Sequence, residues 1–247
     1  MKILLSGLTG HMGQEVVKLI GASSDFELTA GVDAFAGENT CVPCAKCFED
    51  AETNVDCVID FSHHSQTKAL IDFCVSNKLP LVLATTGQTD EEKAMITAAS
   101  ASIPLFFAAN YSLGIALLIE LAKKTAATME GAEIEIVEAH HDRKLDAPSG
   151  TALAIADSIR SVRPEAVNHC GRSGQGKRTQ EEIGIHAIRM GNIVGMHEVI
   201  IGTPNQTITL KHEAHSRALF AEGALSAAKF LMGKGAGLYD MKSILAL

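Results

Sequence analysis

The first 33 residues constrain the fold most strongly, because a strand, a glycine-rich turn, a helix and a second strand follow one another directly. Residues 2–6 are predicted as a buried strand, and apolar residues at helical spacing begin at Val16. The turn between them contains three glycines, Gly7, Gly10 and Gly13. A second predicted strand, 26–32, ends at Asp33. In this context glycine turns bind the pyrophosphate of a dinucleotide and the acidic residue binds its ribose, so we predict a dinucleotide-binding domain.

The alternation of strands and helices continues to residue 108. Strands are predicted at 57–61, 81–85 and 105–108, and helices at 64–76 and 90–100. Strands that alternate with helices predict an α/β fold in which a doubly wound parallel sheet has helices on both faces. Such sheets bind their ligands at the carboxyl ends of the strands.

After Gly114 the pattern changes to a mostly β region with two helices. The first helix is predicted at 115–129, and the second follows residue 152. Strands are predicted at 133–138, 183–190, 194–202 and 207–214. This region is expected to form a second, α+β domain with a mixed four-stranded sheet. A helix at 219–232 and the tail 237–245 would close the chain.

Composition argues against two classes of partner. The formal net charge of −8 comes with no basic stripe, which argues against nucleic-acid binding. No apolar run approaches the ~20 residues that cross a bilayer. The N-terminus lacks the long apolar stretch and cleavage site of a signal peptide. We expect a soluble, cytoplasmic protein.

Three of the six cysteines, Cys41, Cys44 and Cys47, have a C-x-x-C-x-x-C spacing. This spacing occurs in zinc and iron–sulfur sites, but no fourth ligand is evident nearby. Reduced structural thiols in a variable loop are the default interpretation, and no metal is predicted.

The stretch Glu138-Ala-His-His-Asp-Arg-Lys-Leu-Asp-Ala-Pro-Ser-Gly-Thr-Ala152 carries the chemistry. It leaves a strand and enters a helix, whose N-terminus offers unpaired N–H groups and a positive dipole end. Hydroxyls and cationic or hydrogen-bonding groups come from Ser149, Thr151, His141, Arg143 and Lys144. Histidine can deliver a proton near neutral pH because its ordinary pKa is ~6.5. Such a loop can hold a small carboxylate-bearing substrate and protonate it.

This stretch resembles, almost letter for letter, the signature of the dihydrodipicolinate reductases, also called 4-hydroxy-tetrahydrodipicolinate reductases. The resemblance extends over essentially the whole chain, including the glycine turn and the segments Thr85–Gly87, Ala109–Ser112, Arg189–His197 and Gly237–Met241. It implies a Rossmann domain over 1–111 that is completed by 217–247. It also implies a substrate-binding and oligomerisation domain over 112–216 that assembles a homotetramer.

The activity implied by the resemblance is the NAD(P)H-dependent reduction of 4-hydroxy-tetrahydrodipicolinate to tetrahydrodipicolinate in the diaminopimelate route to lysine. By position, His140 corresponds to the acid, and Lys144 shares the catalytic role. Substrate contacts are expected from His141, Lys144, Ser149, Gly150 and Thr151. Cofactor contacts are expected from Gly7, Thr9, Gly10, His11, Met12, Gly13, Asp33, Phe61, Thr85, Thr86, Gly87, Ala109, Asn110 and Tyr111.

Two departures from the family pattern concern the cofactor. The family often has a basic residue at the position of His11, and another at the position of Ala34. No lysine or arginine occurs between Lys18 and Lys46, so a 2′-phosphate has no obvious partner in that stretch. We therefore expect NADH to serve at least as well as NADPH.

Two other functions fit the dinucleotide-binding half. One is that of another nicotinamide-dependent imine or amino-acid dehydrogenase, such as an aspartate dehydrogenase-like enzyme. The other is that of a non-catalytic NADH-binding regulator. The 140–151 signature favours the reductase over both, because the acid and the carboxylate site are both present.

Overall fold

The computed structural model describes residues 1–37 and 39–245. In chain order its strands are β1 (Lys2–Ser6), β2 (Glu27–Val32), β3 (Cys44–Ala45), β4 (Cys57–Asp60), β5 (Leu81–Leu83), β6 (Pro104–Phe107), β7 (Glu133–His140), β8 (Val167–Cys170), β9 (Glu182–Arg189), β10 (Gly195–Thr203), β11 (Gln206–Ala214) and β12 (Gly237–Tyr239). Its α-helices are α1 (His11–Gly21), α2 (Thr67–Asn77), α3 (Asp90–Ala99), α4 (Leu113–Thr128), α5 (Gly150–Arg160), α6 (Ala218–Leu231) and α7 (Met241–Leu245). None of these helices is long and apolar enough to cross a membrane.

The apolar runs of the N-terminal half build a parallel sheet in the order β12-β6-β5-β4-β1-β2-β3. It belongs to a compact unit formed by Met1–Ser112 and Arg217–Leu247. Its central strands are buried on both faces, as the successive residues Leu4 and Leu5 of β1 and Val58 and Ile59 of β4 show with 0% exposure. The predicted doubly wound parallel sheet is thus confirmed.

Two short strands of this sheet are additions to the prediction. β3 has two residues and β12 has three, so neither is long enough to show strand periodicity in the sequence. Each is fixed by pairing with a longer neighbour, β3 with β2 and β12 with β6. Tertiary context rather than local sequence makes them strands.

The second compact unit, Leu113–Ser216, contains a mixed sheet in the order β11-β10-β7-β9-β8. β10 runs antiparallel to β11 and β7, whereas β7 and β8 run parallel to β9. α4 and α5 pack together beside this sheet, and Ile134 and Ile136 share a buried cluster with Ile155 and Ile159. The predicted α+β unit is confirmed, but the prediction of four strands in its sheet was wrong, since the sheet has five. The fifth strand, β8, is a largely exposed edge strand without the apolar alternation that predicts strands.

A close approach between α6 and the segment after β6 shapes the first unit. The Tyr111 hydroxyl donates to the backbone oxygens of Leu83 and Phe106, at 2.8 and 3.1 Å. A Cβ added at Gly223 of α6 would lie 1.7 Å from the backbone oxygen of Tyr111. Glycine at 223 therefore lets α6 pack directly on the backbone of Tyr111.

We expect Gly223→Ala to destabilise the protein by about 1–3 kcal/mol, because the added methyl overpacks a backbone contact that cannot yield locally. The measurement is the free energy of unfolding in urea, followed by circular dichroism. Gly21→Ala is the matched control, since Gly21 is also helical and a Cβ there would meet nothing within 4 Å. A Gly223→Ala variant as stable as the Gly21→Ala control would contradict this account of the packing.

Candidate active site

The glycine turn after β1 forms a backbone cradle that leaves no room for side chains. Gly7 has φ +80°, and a Cβ there would lie 2.5 Å from the Phe61 backbone oxygen. A Cβ at Gly13 would lie 2.1 Å from the backbone oxygen of Gly7. α1 starts directly after Gly10, which caps it without a side-chain hydrogen bond. A turn of this shape at a helix N-terminus fits the pyrophosphate of a dinucleotide.

A cavity of about 520 Å³ lies beside this turn, and Asp33 borders it at the carboxyl end of β2. One Asp33 carboxylate oxygen accepts from the Thr9 backbone N–H at 2.8 Å and from its hydroxyl at 2.6 Å. The other accepts from the Phe35 N–H at 2.9 Å. Burial alone would raise the pKa of Asp33, but these hydrogen bonds outweigh it and the pKa is lowered. The carboxylate is therefore ionised and fixed in position.

A second cavity, of about 380 Å³, lies at the ends of β4, β5 and β6. Seven of the predicted cofactor residues border it: Met12, Phe61, Thr85, Thr86, Ala109, Asn110 and Tyr111. The Asp33 cavity is bordered by five of them: Gly7, Thr9, Gly10, Asp33 and Phe61. His11, Gly13 and Gly87 border neither of these two cavities. Gly13 instead supports the turn, and Gly87 has φ +91° in the loop after β5.

Thr85 borders the second cavity but directs its hydroxyl elsewhere. The hydroxyl donates to a carboxylate oxygen of Asp60 at 2.6 Å, and Asp60 is only 2% exposed. Burial raises the pKa of Asp60 although the hydroxyls of Ser62 and Thr85 oppose this shift. The Thr85 hydroxyl therefore satisfies the hydrogen-bonding needs of the buried Asp60 carboxyl group.

In the second unit, β7 carries a buried, hydrogen-bonded glutamate–histidine pair into the signature loop. Its buried residues alternate, so Glu138 and His140 lie on the same inward face as Ile134 and Ile136. Glu138 is 0% exposed, and one of its oxygens lies 2.6 Å from Nδ1 of His140. Arg189 donates to both Glu138 oxygens at 2.8 Å, and the Ser149 N–H donates to one at 3.0 Å. Each oxygen of this buried carboxylate therefore accepts from two donors.

These contacts decide the protonation states. Burial would raise the pKa of Glu138, but the hydrogen bonds from Arg189, His140 and Ser149 outweigh it and lower the pKa. Burial lowers the pKa of His140, although Glu138 opposes this shift. The Glu138 carboxylate is therefore ionised, and His140 releases a proton more readily than an ordinary histidine does.

A second buried imidazole, His197 of β10, lies against the first. The two rings are 5.1 Å apart in an edge-to-face arrangement, and Nε2 of His197 is 3.1 Å from the Ser149 hydroxyl. Burial, aided by the nearby charge of His140, lowers the pKa of His197 to about 4. His197 is thus neutral near pH 7, and its ring and Ser149 support the start of α5.

The loop from 141 to 149 holds the remaining predicted substrate residues. Nδ1 of His141 is buried without a hydrogen-bond partner among the described residues. The Lys144 ammonium lies 2.8 Å from the Asp146 carboxylate, and this pairing lowers the pKa of Asp146. Ser149 caps α5 by accepting from the Ala152 N–H at 3.2 Å, so Gly150 and Thr151 form the first turn of the helix.

Models of known families cover both units. The model described as "Dihydrodipicolinate reductase, N-terminus" matches residues 1–111, and "Dihydrodipicolinate reductase, C-terminus" matches residues 114–245. The chain belongs to the dihydrodipicolinate reductase family.

Individual relatives agree with this family. The 4-hydroxy-tetrahydrodipicolinate reductase of Caldanaerobacter subterraneus subsp. tengcongensis is 45% identical over 249 residues, which cover 99% of this chain and 98% of the relative. That of Clostridium tetani is 43% identical and covers 99% of this chain and 97% of the relative. Among solved structures, the dipicolinate-bound dihydrodipicolinate reductase from Paenisporosarcina sp. TG-14 has a TM-score of 0.82 at 27% identity, and 97% of each chain is covered.

Sequence reasoning gave no role to three residues that this family member places around His140: Glu138, Arg189 and His197. A signal for two of them was available. Glu138 follows Ile134 and Ile136 at a spacing of two, and His197 precedes Val199 and Ile201 at the same spacing, so both fall at inward positions of their strands. Arg189 gives no such signal, since only the pairing of His140 with Arg189 in adjacent strands brings it to Glu138.

The structure also adds residues to the two cavities of the first unit. Ser62 and His63, in the segment after β4, border both cavities. Lys46 borders the Asp33 cavity and follows β3.

The three cysteines of the C-x-x-C-x-x-C run are free thiols, and Cys44 forms part of β3. No three histidine, cysteine, aspartate or glutamate side chains within 1–37 and 39–245 are grouped so that they could hold a metal.

The lowered pKa of His197 predicts a loss of stability on acidification. In the unfolded chain a histidine takes up a proton near pH 6.5, whereas folded His197 does so only near pH 4. Between these values the unfolded state binds more protons, so the free energy of unfolding falls as the pH falls. For His197 alone the loss from pH 7 to pH 5 is roughly 2 kcal/mol.

The test compares urea unfolding of wild type and His197→Gln at pH 7, 6 and 5. The variant should show a smaller decrease than wild type, while His169→Gln, which changes an exposed histidine of β8, should match wild type. The other charged or titratable groups near His197 are Glu138 and His140 of β7, His212 of β11 and Lys144, and all of them are retained in both variants. Equal slopes for His197→Gln and wild type would show that this imidazole does not titrate as described.

Proposed function

We propose that this chain catalyses the NAD(P)H-dependent reduction of 4-hydroxy-tetrahydrodipicolinate to tetrahydrodipicolinate, with His140 as the proton donor. The observation that carries this proposal is the buried Glu138–His140 pair, joined to Arg189 and to the start of α5 through Ser149. Membership of the reductase family names the substrate, since the relatives that match the whole chain are 4-hydroxy-tetrahydrodipicolinate reductases. The resemblance places this step in the diaminopimelate route to lysine.

The residues of the first unit fit a nicotinamide dinucleotide, which supplies the hydride when it is bound. The Gly7–Gly13 turn would hold the pyrophosphate at the start of α1, because a Cβ at Gly7 or Gly13 would collide with backbone and only glycine permits this tight turn. Asp33 would accept hydrogen bonds from the ribose hydroxyls. The cavity bordered by Met12, Thr86 and Asn110 would take the other half of the molecule.

The geometry of His140 suits an acid whose reactive nitrogen is Nε2. Nδ1 faces the Glu138 carboxylate and donates to it, so a transferable proton must be carried on Nε2. A Cβ at position 195 would lie 3.2 Å from Nε2, so the glycine at 195 keeps a side chain away from this nitrogen. When hydride adds to a conjugated cyclic imine, electron density builds up on the ring, and Nε2–H can supply the required proton.

The negative charge of the substrate would change the pKa of His140. Burial lowers the pKa of His140 in the free protein. A dicarboxylate brought close to the imidazole favours its charged form and raises the pKa again. Binding of the substrate would therefore load the proton that the reaction consumes.

The start of α5 and Lys144 would hold a substrate carboxylate. The first N–H groups of a helix bind anions, and Ser149 fixes this helix start through its contacts with Glu138 and His197. Lys144 is paired with Asp146, so it would exchange that carboxylate for one from the substrate. His141 brings a further nitrogen, Nδ1, that is buried and lacks a partner among the described residues. The dipicolinate bound to the Paenisporosarcina enzyme supports a small dicarboxylate as the ligand class.

The homotetramer implied by the resemblance stays a prediction. Three apolar residues of the second unit, Ile188 of β9, Met190 directly after β9 and Ile208 of β11, are 43%, 62% and 39% exposed and would be covered by such an assembly. Sedimentation equilibrium measures the state directly, and a monomer at micromolar concentration would exclude it.

A coupled assay tests the proposed reaction. A dihydrodipicolinate synthase supplies the substrate from its two precursors, and oxidation of NADH or NADPH is followed at the nicotinamide absorbance. Turnover that requires both the synthase and this chain supports the proposal. A chain that binds NADH but never oxidises it would instead be a regulator, and oxidation with a different imine would indicate another dehydrogenase.

Replacement of His140 separates proton transfer from cofactor binding. His140→Ala should lower kcat by about 10²–10⁴, the usual effect of removing a general acid, and leave the Kd for NADH unchanged. Lys144→Ala should raise KM for the substrate and also lower kcat, because a carboxylate loses its counter-charge. His169→Ala, on exposed β8, controls for the loss of a histidine. If His140→Ala kept near-wild-type kcat, the acid would have to be Lys144 or a bound water.

We propose that NADH serves at least as well as NADPH. Asp33 can accept from a ribose 2′-hydroxyl but repels a 2′-phosphate, and Ala34 offers no compensating charge. The measurement is kcat/KM for both cofactors at one ionic strength. A preference for NADPH of about tenfold, on the order of 1.4 kcal/mol, would contradict this proposal.

A further inference from the structure

The pairing of β3 with β2 brings Lys46 next to Asp33. The two strands are parallel, with Val32 opposite Ala45, and the Asp33 N–H donates to the Ala45 backbone oxygen at 2.9 Å. Asp33 and Lys46 are the residues that directly follow these paired positions. At the carboxyl ends of these strands Asp33 and Lys46 are therefore neighbours, although thirteen positions separate them in the sequence.

Lys46 and Asp33 also border the same cavity, together with Thr9 and Ala34. Lys46 is exposed and forms no ion pair with a described residue. It borders a second cleft with Asp50 and Glu52 but is not ion-paired with either of them. The ammonium of Lys46 is thus available to a ligand in the Asp33 cavity.

Asp33 by contrast is already held by three hydrogen bonds, and about one of the roughly four acceptor positions of its carboxylate is left for a ribose hydroxyl. Thr9 engages one of its oxygens twice, and the Phe35 N–H engages the other. Its negative charge is fixed at the point where a dinucleotide presents its adenosine ribose. A 2′-phosphate, with a charge of about −1.5 to −2, would meet this charge unless a cation stood beside it.

We propose that Lys46 is the residue that receives a 2′-phosphate and so sets the affinity of this enzyme for NADPH relative to NADH. This inference rests on the proposed function, because it assumes that the dinucleotide binds with its adenosine ribose at Asp33. Lys46 supplies a flexible point charge from β3, whereas Ala34 after β2 supplies none. Because Lys46 is exposed, its attraction for the phosphate is screened by salt.

The experiment measures the Kd of NADPH and NADH by the fluorescence of the reduced nicotinamide. Lys46→Ala should raise the Kd of NADPH about tenfold and that of NADH less than twofold. Lys46→Arg should restore NADPH binding. Lys124→Ala removes an exposed lysine from α4 and should change neither Kd. Since NADH binding reports the folded cradle, the ratio of the two Kd values remains informative even if a variant is less stable.

Two further measurements test separately the binding of the adenosine end of the cofactor and the contribution of the Lys46 charge. Displacement of bound NADH by 2′,5′-ADP should weaken in Lys46→Ala, while displacement by 5′-ADP should not. Added salt should raise the Kd of NADPH more steeply than that of NADH in wild type, and this difference should shrink in the variant.

An equal effect of Lys46→Ala on both cofactors, or no effect on either, would overturn the role of Lys46. That outcome differs from failure of the proposed function. If wild type bound neither NADH nor NADPH, the nucleotide site itself would be wrong. If it bound both while Lys46→Ala left their Kd ratio unchanged, only the inference about Lys46 would fall.

Discussion

One buried carboxylate, that of Glu138, organises the chemistry of the second unit. An ionised carboxylate taken out of water loses several kcal/mol of solvation unless donors replace the water around it. Here the donors are Arg189 of β9, His140 of β7, which is also the strand of Glu138, and the Ser149 N–H at the start of α5. The same contacts that compensate the buried charge also orient the proposed acid and the helix that would bind substrate.

The balance of charge around Glu138 also explains why His140, the proposed acid, would change in strength when a substrate binds. A carboxylate alone would hold its neighbouring imidazole in the charged form, but Arg189 already neutralises Glu138 in bidentate fashion. Burial then dominates and lowers the pKa of His140. In the proposed reaction, a substrate that carries two carboxylates would restore the charged form when the proton is needed.

Much of the fold could be predicted because its signals are local. The apolar runs of the parallel strands and the helical spacing between them gave the fold class, which the structure confirms. The signature loop was found because its residues are contiguous, and the structure places His140 at the end of β7 and Lys144 and Ser149 between β7 and α5. The edge strands β3, β8 and β12 escaped prediction, because short edge strands depend on a neighbour for their hydrogen bonds rather than on their own periodicity.

The sequence by itself determined which residues could form strands, turns and helix starts, since those depend on side-chain periodicity and on glycine at Gly7 and Gly13. It also determined that a histidine and a helix N-terminus would share one loop. Tertiary structure alone decided which distant residues met them. Arg189 reaches Glu138 and Lys46 reaches the cavity of Asp33 only through strand pairing. The physical reason is that strand register and electrostatic compensation act between segments far apart in the chain, where no local pattern records them.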